Sequence, residues 1–295
     1  MRRILIALAL LSPICVHAAE ENKLKLPKEV VVVTNETRAS ALEWDVKVDV
    51  EQDAIGTSID IGRVMPNSSG GGLIGALIID SRYDNRKPIA SDLKANAEIA
   101  ADIVRISLKD FNADAVAEAA ARKAILATPW IKLHTLSVVK RSPAEARAVG
   151  TDSKSLSQAL LVLRYEFSPD FTQIRVVANL LMDQAERDGP HLVAYMPMVS
   201  TVQLRDRAFD VKENAAIWAR DNGALAHRAL SQAFAGIERL MPRALSMTKA
   251  DVNAWSSKGA QKSFAAGFNG AIVDRTSDNG VILWQNALVA VETIS

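Results

Sequence analysis

Between Asp45 and Glu51 the chain alternates: Val46, Val48 and Val50 fall on one side of an extended backbone, and Asp45, Lys47, Asp49 and Glu51 on the other. A period of two predicts a half-solvated antiparallel strand. Glu29 to Thr34 carries four consecutive valines and predicts a buried strand. Ile59 and Ile61 mark a third over Thr57 to Val64. Pro66 to Gly72 then breaks the pattern. From Pro88 to Phe111 the spacing turns helical, with Ile89, Leu93, Ala97, Ala100, Val104 and Leu108 on one face and Pro88 in the first turn. Asn112 caps a second, alanine-rich helix that ends near Pro129.

The middle of the chain returns to strands, over Trp130 to Lys140 and Ser157 to Phe167. In the latter, Ala159, Leu161, Leu163, Tyr165 and Phe167 share a face. Ser168-Pro169-Asp170 turns the chain, and Phe171 to Met182 runs back with Ile174, Val176, Ala178, Leu180 and Met182 apolar. Asp188-Gly189-Pro190 turns again into His191 to Leu204. Pro197 lacks a ladder donor, so that strand is expected at an edge or bent. Asp210 to Leu245 reads as the longest helix, with a stripe at Leu225, Phe234, Ile237, Met241 and Leu245, and with Pro242 expected to kink or end it. A last hairpin runs from Gly270 to Arg275, turns at Asp278-Asn279-Gly280 and returns over Val281 to Ile294. Strands come in runs and helices come in runs. The expected class is therefore α+β: an antiparallel sheet with long helices packed mainly on one face.

The first residues change the picture from fold to compartment. Arg2 and Arg3 precede an apolar run from Ile4 to Leu11, Pro13 breaks it, and Val16-His17-Ala18 supplies a cleavage site. That order predicts a signal peptide over residues 1–18, cut after Ala18 or alternatively after Ala19, and a periplasmic or secreted protein. Cys15 follows Pro13-Ile14 rather than the small residue a lipid-modified cysteine wants, so a lipoprotein is not expected. Residues 19–295 read as one α+β domain, with a possible N-terminal β subregion over 28–66.

Charge and chemistry then narrow the function by exclusion. The chain has 35 basic and 34 acidic residues, and residues 1–18 hold two of the former and none of the latter, which leaves 33 − 34 = −1. That balance does not suit a nucleic-acid binder. His134, His191 and His227 form no HExxH pair, and no GxSxG elbow is present. Three SxxK matches (at Ser91, Ser137 and Ser246) and Ser277-Asp278-Asn279 are not followed by a KTG. No catalytic, cofactor-binding or metal-ligating residue is assigned, and Asp45, Asp49, Glu51 and Asp53 read as a solvated face.

One stretch departs from soluble-protein habit. Gly70 to Ile79 is apolar and glycine-rich, with Gly71 and Gly75 four apart, a spacing that lets another backbone approach closely. Gly71, Gly72, Leu73, Ile74, Gly75 and Leu77 therefore form the candidate interaction segment, for a partner helix or for peripheral membrane contact. The alternative is a buried helix held against the sheet. Leu163 to Phe171, with the glycine-rich stretch before it and the Trp218-bearing helix after it, resembles a group of uncharacterised exported bacterial proteins. The order of elements is similar to that of α+β modules in accessory lipoproteins of envelope assembly. The resemblance implies an envelope accessory that binds another protein, and it brings no functional residue with it. A periplasmic binder of a small apolar or amphipathic ligand is the alternative, and a hydrolase with an unrecognised site comes last.

Overall fold

The computed structural model describes residues 26–40, 42–57, 87–139, 157–186, 189–263, 268–276 and 280–295. In chain order their elements are α1 (Asn35–Ala39), β1 (Glu43–Val50), β2 (Gly56–Thr57), α2 (Lys87–Ser107), α3 (Ala113–Leu126), β3 (Lys132–Val139), β4 (Ser157–Phe167), β5 (Gln173–Glu186), β6 (Gly189–Leu204), α4 (Val211–Ser246), α5 (Lys249–Ser256), β7 (Lys262–Ser263), β8 (Asn269–Arg275), β9 (Val281–Trp284) and β10 (Leu288–Ile294). The alternation in β4 and β5 does what it predicts. Ala159 lies opposite Met182, Leu163 opposite Ala178 and Phe167 opposite Ile174, in an antiparallel ladder. Both apolar faces are buried in the main core with Phe234, Ile237, Met241 and Leu245 of α4.

The sheet is mixed, which corrects the expectation of an antiparallel one. The strands run β3-β1-β4-β5-β6-β10-β9-β8-β7, with β2 beside β4. β1 is parallel to both β3 and β4, β2 is parallel to β4, and β10 is parallel to β6. A parallel pair needs a long crossover, and here the helix runs are those crossovers. α2 and α3 connect β1 and β2 to β3, and α4 and α5 lie between β6 and the last strands. The covering by long helices is corrected too. Only α4 is long, and it lies on β5, β6 and β10. α3 covers β1 and β3, whereas α2 stacks on α4 and reaches the sheet mainly at β2. No helix among the described residues is long and apolar enough to cross a membrane.

Several local readings also change. β1 is paired on both sides, so Asp49 is 2% exposed rather than solvated. Of the four valines only Val31 pairs, in a single bridge to Tyr195. The edge expected at Pro197 is present: β6 has β10 on its second side only from Met198 to Leu204, and before that only the Val31 bridge. The Tyr195 N–H donates to Val31 O, and β10 begins at Leu288 opposite Met198. Pro197, two residues from Tyr195, turns its missing N–H to that same side, where no ladder passes. α4 does not end at Pro242 but breaks at Arg220–Gly223, where Asp221, Asn222 and Gly223 take φ of 52°, 54° and 74°. Asp, Asn and Gly tolerate the left-handed region best. A Cβ on Gly223 would also lie 2.7 Å from Ser107 Cβ at the end of α2. The last strand is two, because Asn286 at φ 60° turns β9 back into β10.

Candidate functional site

The sheet face away from α4 is the one that the hydrophobic pattern left half-explained. Register sorts its side chains into rows. Glu166, Arg175 and Thr201 form one row across β4, β5 and β6. The next holds Arg164, Val177, Val199, Val289 and Leu283. Beyond it lie Asn179 and Pro197, then Leu181 and Tyr195. An apolar row is thus bordered on both sides by polar groups. Val177, Val199, Leu283, Ala287 and Val289 bury one another there, with Phe268 packed against them.

Two structures wall this floor. The N-terminal segment from Leu26 to Asn35 crosses beside β6, held by the Val31–Tyr195 bridge and by α1, whose cap Thr34 accepts from the Thr37 N–H. Arg38 of α1 donates to Met247 O at 2.6 Å, which ties this wall to the end of α4. The opposite wall is α5, which starts in a capping box between Thr248 and Asp251. Trp284 Nε1 donates to Ser256 Oγ at 2.9 Å, and the Trp255 and Trp284 rings pack 6.0 Å apart. Between the walls is a groove of about 1320 Å³. That exceeds the roughly 300–1,000 Å³ usual for drug-sized ligands.

The groove is electrostatically lopsided. Its described lining carries Lys28, Arg38, Arg164, Arg175 and Lys249 against Glu29 and Glu166. Arg175 faces Glu166 across the strands and donates from Nε to Gln173 Oε1 at 2.8 Å. Burial pushes the Arg175 pKa down, with Glu166 and Asp170 opposing. Arg164 Nε lies 3.4 Å from Glu166 Oε2, without hydrogen-bond geometry. Arg38 Nε, Gln285 Nε2 and Thr201 Oγ1 are likewise buried atoms without a hydrogen-bond partner among the described residues. The Tyr195 hydroxyl donates to Asn179 Oδ1 at 3.2 Å, and burial raises its pKa. Sequence reasoning passed over these residues. The available signal was the charged pair Arg164 and Glu166 alternating inside an otherwise apolar strand.

The residues that sequence singled out fall elsewhere. Gly71, Gly72, Leu73, Ile74, Gly75 and Leu77 lie outside the described residues, as do residues 1–25. The three histidines occupy separate elements. His227 Nε2 sits 3.0 Å from Ser107 O between α4 and α2, and His191 is exposed in β6. Ser246, of one SxxK match, donates to Arg243 O at the helix end. Among the described residues no three His, Cys, Asp or Glu side chains are grouped to hold a metal ion.

His134 does acquire a partner. The β1–β3 ladder shifts between Trp44 and Asp45, which leaves His134 as the extra residue of a bulge. Its Nδ1 is 2.8 Å from Asp45 Oδ1, which also accepts from Thr135 Oγ1 at 2.5 Å. Burial would raise the Asp45 pKa, but the Thr135 and His134 hydrogen bonds outweigh it and hold the carboxyl low. The bond to Asp45 raises the His134 pKa above 6.5. A raised histidine pKa stabilises the fold below the unfolded value, and that contribution fades as pH climbs through the folded value. In an NMR titration His134 is expected to have a midpoint above 6.5 that falls in Asp45→Asn. An unchanged midpoint there rules the pair out as the cause.

No protein-family model matches the chain. No curated relative matches it either. Among solved structures it is similar to a Xanthomonas campestris protein described by the family model DUF330, at 13% identity, over 75% of this chain and 93% of that one, with a TM-score of 0.23. A likeness that low assigns neither a family nor a function.

Proposed function

We propose that this chain is an exported, non-enzymatic envelope protein that holds a small amphipathic ligand in the groove between the N-terminal segment and α5. The observation that carries this reading is the floor: an apolar row of Val177, Val199 and Val289 set between polar rows. Partly buried Val31 extends the apolar surface up one wall, while Val30 and Val32 pack against the main core. Such a surface suits a molecule with an apolar body and a polar end. Native mass spectrometry of the gently purified protein is expected to show an added mass of a few hundred daltons. Val31→Asp puts a charge into the wall while its backbone bridge to Tyr195 remains possible. It is expected to lose that added mass and keep its thermal unfolding temperature. A wild-type chain found bare, which also fails to bind any long-chain amphiphile, defeats the reading.

Binding of another envelope protein is the second reading. It is favoured by Ile99, Ile103 and Ile106, which stand 60%, 47% and 73% exposed in a stripe along α2. The same spectrum separates the two readings: a second polypeptide at fixed ratio supports this one and an added small mass supports the first.

A further inference from the structure

We propose that α2 pairs with α2 of a second copy of this chain, antiparallel and around a two-fold axis, through the stripe Ile99, Ile103 and Ile106. The inference rests on that stripe being an interaction face, as in the second reading above, and it names the occupant. It does not depend on the groove.

The stripe is a face of its own. Ala97, Ala101, Val104 and Leu108 of the same segment are buried, on the side where α2 stacks on α4. Ile99, Ile103 and Ile106 are four and then three residues apart, so the helical period lines them up on the opposite side. They stand 60%, 47% and 73% exposed. A single exposed isoleucine is ordinary, but four-then-three spacing is the seam by which one helix packs on another.

The charges beside the seam choose the occupant. Asp102, its side chain 65% exposed, flanks the stripe between Ile99 and Ile103. Exposed Lys109 follows two helical turns later on the same flank, in the turn that ends α2. The Leu108 N–H still donates to Val104 O, so the helical path runs up to that turn. Around a two-fold axis the same flank of each helix meets its own copy. Laying Ile103 on the partner's Ile106 brings Asp102 beside the partner's Lys109, and symmetry makes the pair twice. Arg105 holds one Asp102 oxygen at 2.8 Å, and a carboxylate has capacity for a further donor. Sliding the helices by one heptad, with Ile103 on the partner's Ile99, sets Asp102 against the partner's Asp102. A parallel pair sets Asp102 against the partner's Ser107, which has no charge to offer. Flanking charges fix orientation in this way in helix pairs. The surface is thus complementary to itself in one register, as the shared patch of a two-fold dimer must be. That register leaves Ile99 at the rim, towards the partner's Asp110.

Three isoleucines supply less than the roughly 800 Å² per partner of a stable interface, so the dimer is expected to be weak and reversible. Sedimentation of the purified protein from micromolar to millimolar concentration is expected to show a monomer–dimer equilibrium. Ile103→Glu is expected to stay monomeric over that range with its unfolding temperature unchanged. Lys109→Glu, at an exposed turn position, is expected to weaken the dimer about threefold to tenfold, and adding Asp102→Lys to restore it. Register is read by disulfide trapping on a Cys15→Ser background, since Cys15 is the one cysteine of the sequence. Ile103→Cys mixed with Ile106→Cys is expected to cross-link faster than either variant alone. Faster linking of like with like overturns the antiparallel pairing. A dimer that Ile103→Glu and Lys109→Glu leave unchanged overturns the stripe as its contact. A monomer at every concentration overturns self-pairing. Should that monomer bind a second polypeptide and lose it in Ile103→Glu, the second reading stands without this inference.

Discussion

Trp218→Ala is expected to remove about 3–5 kcal/mol of stability, the range for truncating a large aromatic in a packed core. Trp218 is fully buried in the first part of α4, 6.4 Å from the Phe167 ring. Its Nε1 also donates to Phe171 O at 2.7 Å. That acceptor belongs to a strained residue, because Phe171 takes φ 55°, a region bulky side chains avoid. Strain of this kind costs of order 1–3 kcal/mol and persists only where the surroundings impose it. Here they do so from two sides. Phe171 stacks on Phe167 with ring centroids 4.7 Å apart, and Asn214, one turn before Trp218, donates to Asp170 O at 2.9 Å. Trp218 is thus the fastening between the β4–β5 hairpin tip and α4. Trp218→Phe keeps most of the volume and loses the donor, so it is expected to cost about 1–3 kcal/mol. Urea unfolding of the two variants separates the contributions. A Trp218→Phe midpoint equal to wild type means that the indole hydrogen bond holds nothing.

The same region shows where sequence reasoning reached and where it stopped. The alternation of Ala159 to Phe167 and of Ile174 to Met182 was legible because a half-buried hairpin imposes a period of two and a local turn. The helix stripe at Phe234, Ile237, Met241 and Leu245 was legible for the same kind of reason. Parallel pairing was not legible. Nothing in Val46, Val48 and Val50 says that their neighbours will be Leu136 and Val138 on one side and Ala159, Leu161 and Leu163 on the other. Such partners are chosen by the crossover and not by the strand's own pattern. The break in α4 was written as Asp221-Asn222-Gly223 but was masked by the more familiar signal of Pro242, which sits in the last turns and is tolerated there. The groove was hidden for a different reason. Its residues are spread over β4, β5, β6, the N-terminal segment and α5, and only the register gathers them.

Gly236→Ala is expected to destabilise the protein by about 1–3 kcal/mol, the usual cost of overpacking. The sign is informative, because the same change in an open helix interior stabilises by about 1 kcal/mol. Gly236 lies where α4 crosses β6, and a Cβ there would meet Ser200 Oγ at 2.0 Å and Ser200 Cβ at 2.8 Å. Ser200 faces α4 from the middle of the sheet, between Val176 and Ala290, and is 2% exposed. Neither it nor the strand has room to retreat, so α4 must lift. Lifting strains a second contact of the same helix, where Gln232 and Arg239 both hold the buried carboxylate of Glu292 on β10. β6 and β10 carry Val199 and Val289 on their other face, so the helix that supports the core also sets the groove floor. Ser200→Ala clears the oxygen but leaves the Cβ clash, whereas Ser200→Gly clears both. The double-mutant cycle between Gly236→Ala and Ser200→Gly is therefore expected to show a favourable coupling of about 0.5–3 kcal/mol, and the cycle with Ser200→Ala a smaller one. Strict additivity in both cycles means that the helix and the sheet do not meet at this pair, and the account of how α4 positions the groove fails with it.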